Sequence, residues 1–148
     1  MLGSLARWLR FAGFDTRYLP GCADAVLAGL ARAEGRWLLT RDGDLAAKAG
    51  PRVLLLRSRG VDALVGELRA RLDLRADPAR FLSRCPGCNG ELAEAPRAAV
   101  ATRVPPYVAV HAERFRECPE CGRVYWPGSH VGRITRRLGE LFLSPTVL

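Results

Sequence analysis

Residues 36–50 read RWLLTRDGDLAAKAG, and the fold turns on how this stretch divides. Trp37, Leu38 and Leu39 make a short apolar run that stops at Thr40, the pattern of a buried strand. Asp42, Gly43 and Asp44 then open a helical pattern over 41–50 that Gly50 closes. A strand running straight into a helix is one βα step, and the neighbouring segments repeat it. Upstream, residues 15–20 (DTRYLP) offer a strand closed by Pro20. Residues 23–35 follow as a helix with Val26, Leu27, Leu30 and Ala31 inward. Downstream, RVLLLR at 52–57 is another strand and GVDALVGELRARLDL at 60–74 another helix. Ahead of them all, residues 2–12 place Leu2, Leu5, Trp8, Leu9 and Ala12 on one helical face, ended by Gly13. The alternation predicts an α/β fold, a parallel sheet with helices on its faces.

After RADPARF (75–81) the grammar changes. Long amphipathic helices give way to CPGC (Cys85, Cys88), RVPPYV, CPEC (Cys118, Cys121) and GRVYW. Residues 82–128 read as short strands and turns around a metal, and 129–142 as a closing helix. The expected map is an α/β domain over 1–78 and a metal-stapled module with its helix over 82–137. Each C-x-x-C turn presents two thiolates, and Zn²⁺ takes four such ligands tetrahedrally. The 29 residues between Cys88 and Cys118 allow a hairpin and its return. So small a module buries little apolar surface, so metal binding supplies much of its folding free energy. All four positions are filled, which makes the site a structural one. Gly87 and Gly122 suit the turns. The competing reading is four buried free thiols; Cys22, alone near the start, reads as a half-buried packing residue.

The chain has 148 residues, 49% hydrophobic and 26% charged, a globular composition. Its net charge of +8 comes from 22 arginines and one lysine, and a basic surface favours phosphate-rich partners. No apolar run reaches the ~18 residues of a membrane span. Arginines interrupt the first apolar helix, unlike a secretory signal. The expected location is the cytoplasm, with no membrane partner.

In a parallel α/β sheet, ligands gather at the carboxyl ends of the strands. Asp42 and Asp44 follow one such end and Asp24 opens the helix of the preceding unit. Three converging carboxylates suit Mg²⁺ or Mn²⁺, which take hard oxygen ligands. Aspartate is equally a favoured helix cap, and local pattern leaves both roles open for Asp24 and Asp42. His111 reads as a solvated residue, and His130 follows Ser129, a plausible helix cap. Trp8 and Trp37 read as core. Tyr125 and Trp126 suit packing between the modules, or stacking on a base. Arg133, Arg136 and Arg137 share a helical face open to phosphates, beside His130.

Taken together, MLGSLARWLRFAGFDT, GRWLLTRDGDLA, SRCPGCNGEL, RVPPYV and FRECPECGRVYWPGSH resemble the Mut-seven C-terminal RNase domain family over residues 1 to 133. The resemblance implies a PIN-like parallel sheet flanked by helices, with an appended zinc ribbon and metal-dependent cleavage of RNA. By position it assigns Asp42, Asp44 and Asp24 to the acidic cluster and Cys85, Cys88, Cys118 and Cys121 to the zinc. Relatives carry a strand ahead of the MLG-x-LARWLR helix, with an aspartate near its end. Here Met1 lies inside that motif, so the first strand is missing from this chain and is expected to be encoded upstream. The leading expectation is a ribonuclease using Mg²⁺ or Mn²⁺ at Asp24, Asp42 and Asp44. Its structural Zn²⁺ ribbon and Arg133, Arg136, Arg137 and His130 would assist RNA binding. The alternatives are a non-catalytic RNA-binding zinc-ribbon protein, whose aspartates only cap helices, and a protein–protein adaptor.

Overall fold

The computed structural model describes residues 2–145. Helix α1 (Leu2–Phe11) buries the face its spacing predicts: Leu5, Leu9 and Ala12 are enclosed, with Leu2 and Trp8 packed on them. It ends in a Schellman turn, Gly13 donating to the Arg10 carbonyl and Phe14 to that of Leu9. Gly13 sits at φ 93°, and a Cβ there would lie 2.6 Å from the Arg80 carbonyl oxygen.

The strand expected over 15–20 does not form; residues 12–23 are irregular. Side chains from elsewhere, not a neighbouring strand, take the peptide groups of Thr16. Helix α2 (Asp24–Ala33) follows. Its inward face is centred on Ala28, and Val26 is 51% exposed instead of inward. Strand β1 (Leu38–Thr40), helix α3 (Gly43–Lys48), strand β2 (Val53–Leu55) and helix α4 (Val61–Leu72) complete the alternating half. The two strands pair in parallel, Leu38 with Val53, Leu39 with Leu54 and Thr40 with Leu55. Both are shorter than expected, and Trp37 falls just outside β1 and is 46% exposed, not core.

The strand alternation splits the apolar residues between two layers. Leu39 and Leu54 face α1 and α4 in the main core, with Leu5, Leu9, Leu64 and Leu68. Leu38 and Val53 face the other way, onto Ala28, Leu45 and Ala49 of α2 and α3. The two outer edges of the sheet differ. Arg71 on α4 donates to the Leu55 carbonyl at 2.8 Å, and Glu67 accepts from the Ser58 and Arg57 amides at 3.0 and 3.2 Å. On the other side, Leu38 and Thr40 spend their peptide groups on β2's chain. A parallel ladder alternates, so Leu39 turns its own N–H and C=O away from β2, into a groove.

The second half is a three-stranded antiparallel sheet of β3 (Ala93–Ala95), β4 (Phe115–Glu117) and β5 (Val124–Tyr125). Two short helices, α5 (Arg97–Val100) and α6 (Pro106–His111), fill the link between β3 and β4 around Val100, Val104 and Phe115. The sequence suggested only strands and turns there. Pro105 at the cap and Pro106 in the first turn explain the helix, because proline loses nothing at a position whose N–H has no helical partner. Helix α7 (Ser129–Leu138) runs into a π-helical segment (Gly139–Leu143). Gly128, not Ser129, is its cap residue. Leu138, Leu141 and Phe142 return to the main core, and Arg69 on α4 binds the Leu141 and Ser144 carbonyls.

Candidate functional site

The two C-x-x-C turns are near copies in space as in sequence. Asn89 N–H bonds the Cys85 carbonyl at 2.9 Å, and Gly122 N–H bonds that of Cys118 at 2.8 Å. Cys85 N–H reaches the Gly90 carbonyl and Cys118 N–H that of Arg123. The residue after the second cysteine has positive φ in both turns, 78° at Asn89 and 76° at Gly122. Glycine and asparagine are the residues that take this left-handed backbone most readily, whereas at Gly87 a Cβ would strike the Arg123 guanidinium.

This brings the four sulfur atoms within 4.8 Å of one another, the only such metal-capable group among the described residues. Cys85 and Cys121 are 3.7 Å apart, Cys88 and Cys118 3.3 Å. Tetrahedral zinc with ~2.3 Å bonds sets its sulfurs about 3.8 Å apart. The quartet, with soft ligands and four positions filled, therefore fits one Zn²⁺ ion. Burial pushes the Cys88 thiol up to about 12. Burial also opposes ionisation of Cys85, but hydrogen bonds led by the Tyr125 hydroxyl, 3.0 Å away, outweigh it and lower that thiol to about 6. Arg10 lies buried behind the first turn, donating to the Pro86 and Gly87 carbonyls. Burial lowers its pKa, against the pull of the Cys88 and Cys85 charges.

The aspartates are arranged differently. Asp42 is the cap of α3: its Oδ1 accepts from the Asp44 and Leu45 amides at 2.8 and 3.1 Å. Asp24 begins α2 but makes no capping bond; Ala23 occupies that position. Asp24 and Asp42 both line a groove of about 500 Å³ beside β1, walled by α1, α4 and residues 14–19. Asp44 is exposed on the first turn of α3 and lies outside that lining. Sequence reasoning passed over a third acid on the groove, Asp15. Its carboxylate takes hydrogen bonds from Arg36 at 2.9 Å and Asn89 at 2.6 Å. The Arg36 bond, with that of Asn89, holds its pKa below the ordinary value against the effect of burial. No local signal could have found it, since Asn89 lies 74 positions away.

Among the basic candidates, Arg137 is ion-paired to Asp62 on α4 and to Glu140. Arg133 contacts the His130 ring nitrogen at 3.1 Å, and Arg133, Arg136 and His130 are exposed. No helix among the described residues is long and apolar enough to cross a membrane.

A family model described as the Mut7-C RNAse domain matches residues 1–138. The chain belongs to this family. No curated protein and no solved structure matches it. Membership in the Mut7-C family suggests a nuclease or RNA-related function, and the cysteine cluster suggests zinc. The match takes in the α1 motif, the β1–α3 junction and both cysteine turns of this Mut7-C domain.

Proposed function

We propose that this Mut7-C domain is a metal-dependent ribonuclease whose Asp24 and Asp42 hold Mg²⁺ or Mn²⁺ at the carboxyl end of β1. The observation that carries the reading is that both carboxylates line one groove beside that strand end. The donor set suits the ion, because Mg²⁺ is held by as few as one or two carboxylates and keeps several waters. The cap fixes Asp42 through Oδ1, and its Oδ2 makes no hydrogen bond among the described residues. Such an ion supplies an activated water for in-line attack on a phosphodiester. Asp44, in the first turn of α3, adds negative charge at the rim. Arg133, Arg136 and His130 contact RNA phosphates, positioning the strand without reading its bases. The zinc ribbon assists that binding, and the protein works in the cytoplasm.

The test is cleavage of single-stranded and structured RNA with Mg²⁺, Mn²⁺ or EDTA. Cleavage that EDTA abolishes and added Mn²⁺ restores supports the enzyme; EDTA-insensitive cleavage refutes it. A second reading, a non-catalytic RNA-binding protein, draws on the capping bonds of Asp42 and the position of Asp44 outside the groove. It predicts salt-dependent RNA binding with no cleavage under any of these metals.

A further inference from the structure

Thr16 lies in the wall of the acidic groove, and both of its peptide groups are taken by residues of, or fastened to, the first zinc turn. Its N–H donates to Asn89 Oδ1 at 2.9 Å, and its carbonyl accepts from Arg10 Nε at 2.9 Å. Asn89 directly follows the ligand Cys88 and is held by the Cys85 carbonyl at 2.9 Å. Arg10 grips the same turn through the Pro86 and Gly87 carbonyls at 3.0 and 3.3 Å. The Asn89 carboxamide also donates to Asp15, whose other oxygen binds Arg36, next to Trp37 at the entry to β1. These bonds do for Thr16 what a strand ladder does elsewhere, satisfying both its peptide groups, and they anchor the Asp15 side chain beside it.

We propose that Asn89, with Arg10, is a positioning residue through which zinc in the ribbon holds the wall of the acidic groove. Zinc binding fixes the Cys85–Cys88 turn; that turn sets the left-handed backbone of Asn89; and the Asn89 carboxamide clamps Asp15 and Thr16. The ribbon then acts on the groove from behind. This role stands whether or not the groove cleaves RNA. Nearby residues give an internal control. Phe11 accepts from the Leu82 amide at 2.7 Å, a contact that needs no residue of the zinc turn.

The test is amide hydrogen exchange on the full chain, zinc-loaded and after chelation under reducing conditions, read at Thr16 and at Leu64, Val65 and Leu68. Chelation is expected to speed exchange at Thr16 by about tenfold or more, a hydrogen bond's worth of protection, and to leave the α4 amides unchanged. Asn89→Gly keeps the positive-φ backbone and deletes the carboxamide. It is expected to retain one zinc per chain, to exchange fast at Thr16 already, and to lose the response to chelation. Protection at Thr16 that survives chelation overturns the proposal, as does a zinc-loaded Asn89→Gly chain that still responds at Thr16 as the parent does. Should Asn89→Gly fail to retain zinc, Arg10→Lys decides, because it alters no residue of the turn. It keeps the charge but not the fork that spans both partners. Faster exchange at Thr16 with zinc retained supports the link, and parental exchange refutes it. A chain that shows the coupling yet cleaves no RNA separates this inference from the proposed activity.

Discussion

Asp42 caps α3 with one oxygen and, in the proposed reading, offers the other to the metal, and substitution can pull the two apart. Its Oδ1 takes the amides of Asp44 and Leu45 at 2.8 and 3.1 Å. Replacing a capping aspartate with alanine costs about 1 kcal/mol. Helix α3 has six residues and only Leu45 buried within it, so little else holds it in place. In a chain of this length 1 kcal/mol lowers Tm by about 3 °C. Asparagine keeps the acceptor and caps about as well as aspartate, so Asp42→Asn should melt within about 1 °C of the parent, while Asp42→Ala loses the full amount. Neutral asparagine cannot serve as an anionic ligand. Altering even an outer-shell partner of a metal costs about ten- to a hundredfold, so cleavage by Asp42→Asn should fall by about a hundredfold or more. Thermal melts and single-turnover cleavage of a labelled RNA read both effects on the same preparations. An asparagine variant as unstable as the alanine variant refutes the cap, and one that cleaves at the parental rate refutes the ligand.

Further outcomes follow from the fold. Leu64 is fully enclosed between α1, α4 and the end of α7, so Leu64→Ala should cost about 3 kcal/mol by chemical denaturation. Gly13→Ala faces both a left-handed backbone and the Arg80 carbonyl, and should lose at least about 2 kcal/mol in the same assay. The Asp15 carboxyl should titrate by NMR with a midpoint below the ordinary 3.8. Its folded pKa is depressed, so its contribution is full above that ordinary value and is lost as pH falls through the lower folded one. Arg36→Gln should move the midpoint back up. Chelation under reducing conditions should expose all five cysteines to a thiol reagent, whereas the zinc-loaded chain should offer only Cys22.

What was legible in the sequence was whatever neighbouring residues settle among themselves. The face of α1, the β1–α3 step and the cysteine quartet all depend on short spacings, and all are present in the structure. The strand expected at 15–20 depends on a partner, and here the partners are the side chains of Arg10 and Asn89. Trp37 has the composition of a core residue but sits one place outside β1, where the pleat no longer carries it inward. Val26 misses the interior because α2 turns its small residue Ala28 toward the sheet. Helix α6 could have been read from Pro105 and Pro106, which mark a helix start as readily as a turn. At the acidic groove the sequence supplied Asp24 and Asp42, whereas Asp15 joins them only through contacts spanning much of the chain.

The unequal edges of the parallel sheet make its growth one-sided. Glu67 and Arg71 close the β2 side as a terminating block would, whereas β1 presents Leu39's peptide group to the acidic groove. Unpaired edges recruit other strands. Self-association of this chain at high concentration should therefore begin at β1 and stop after one addition per sheet, giving dimers rather than fibres.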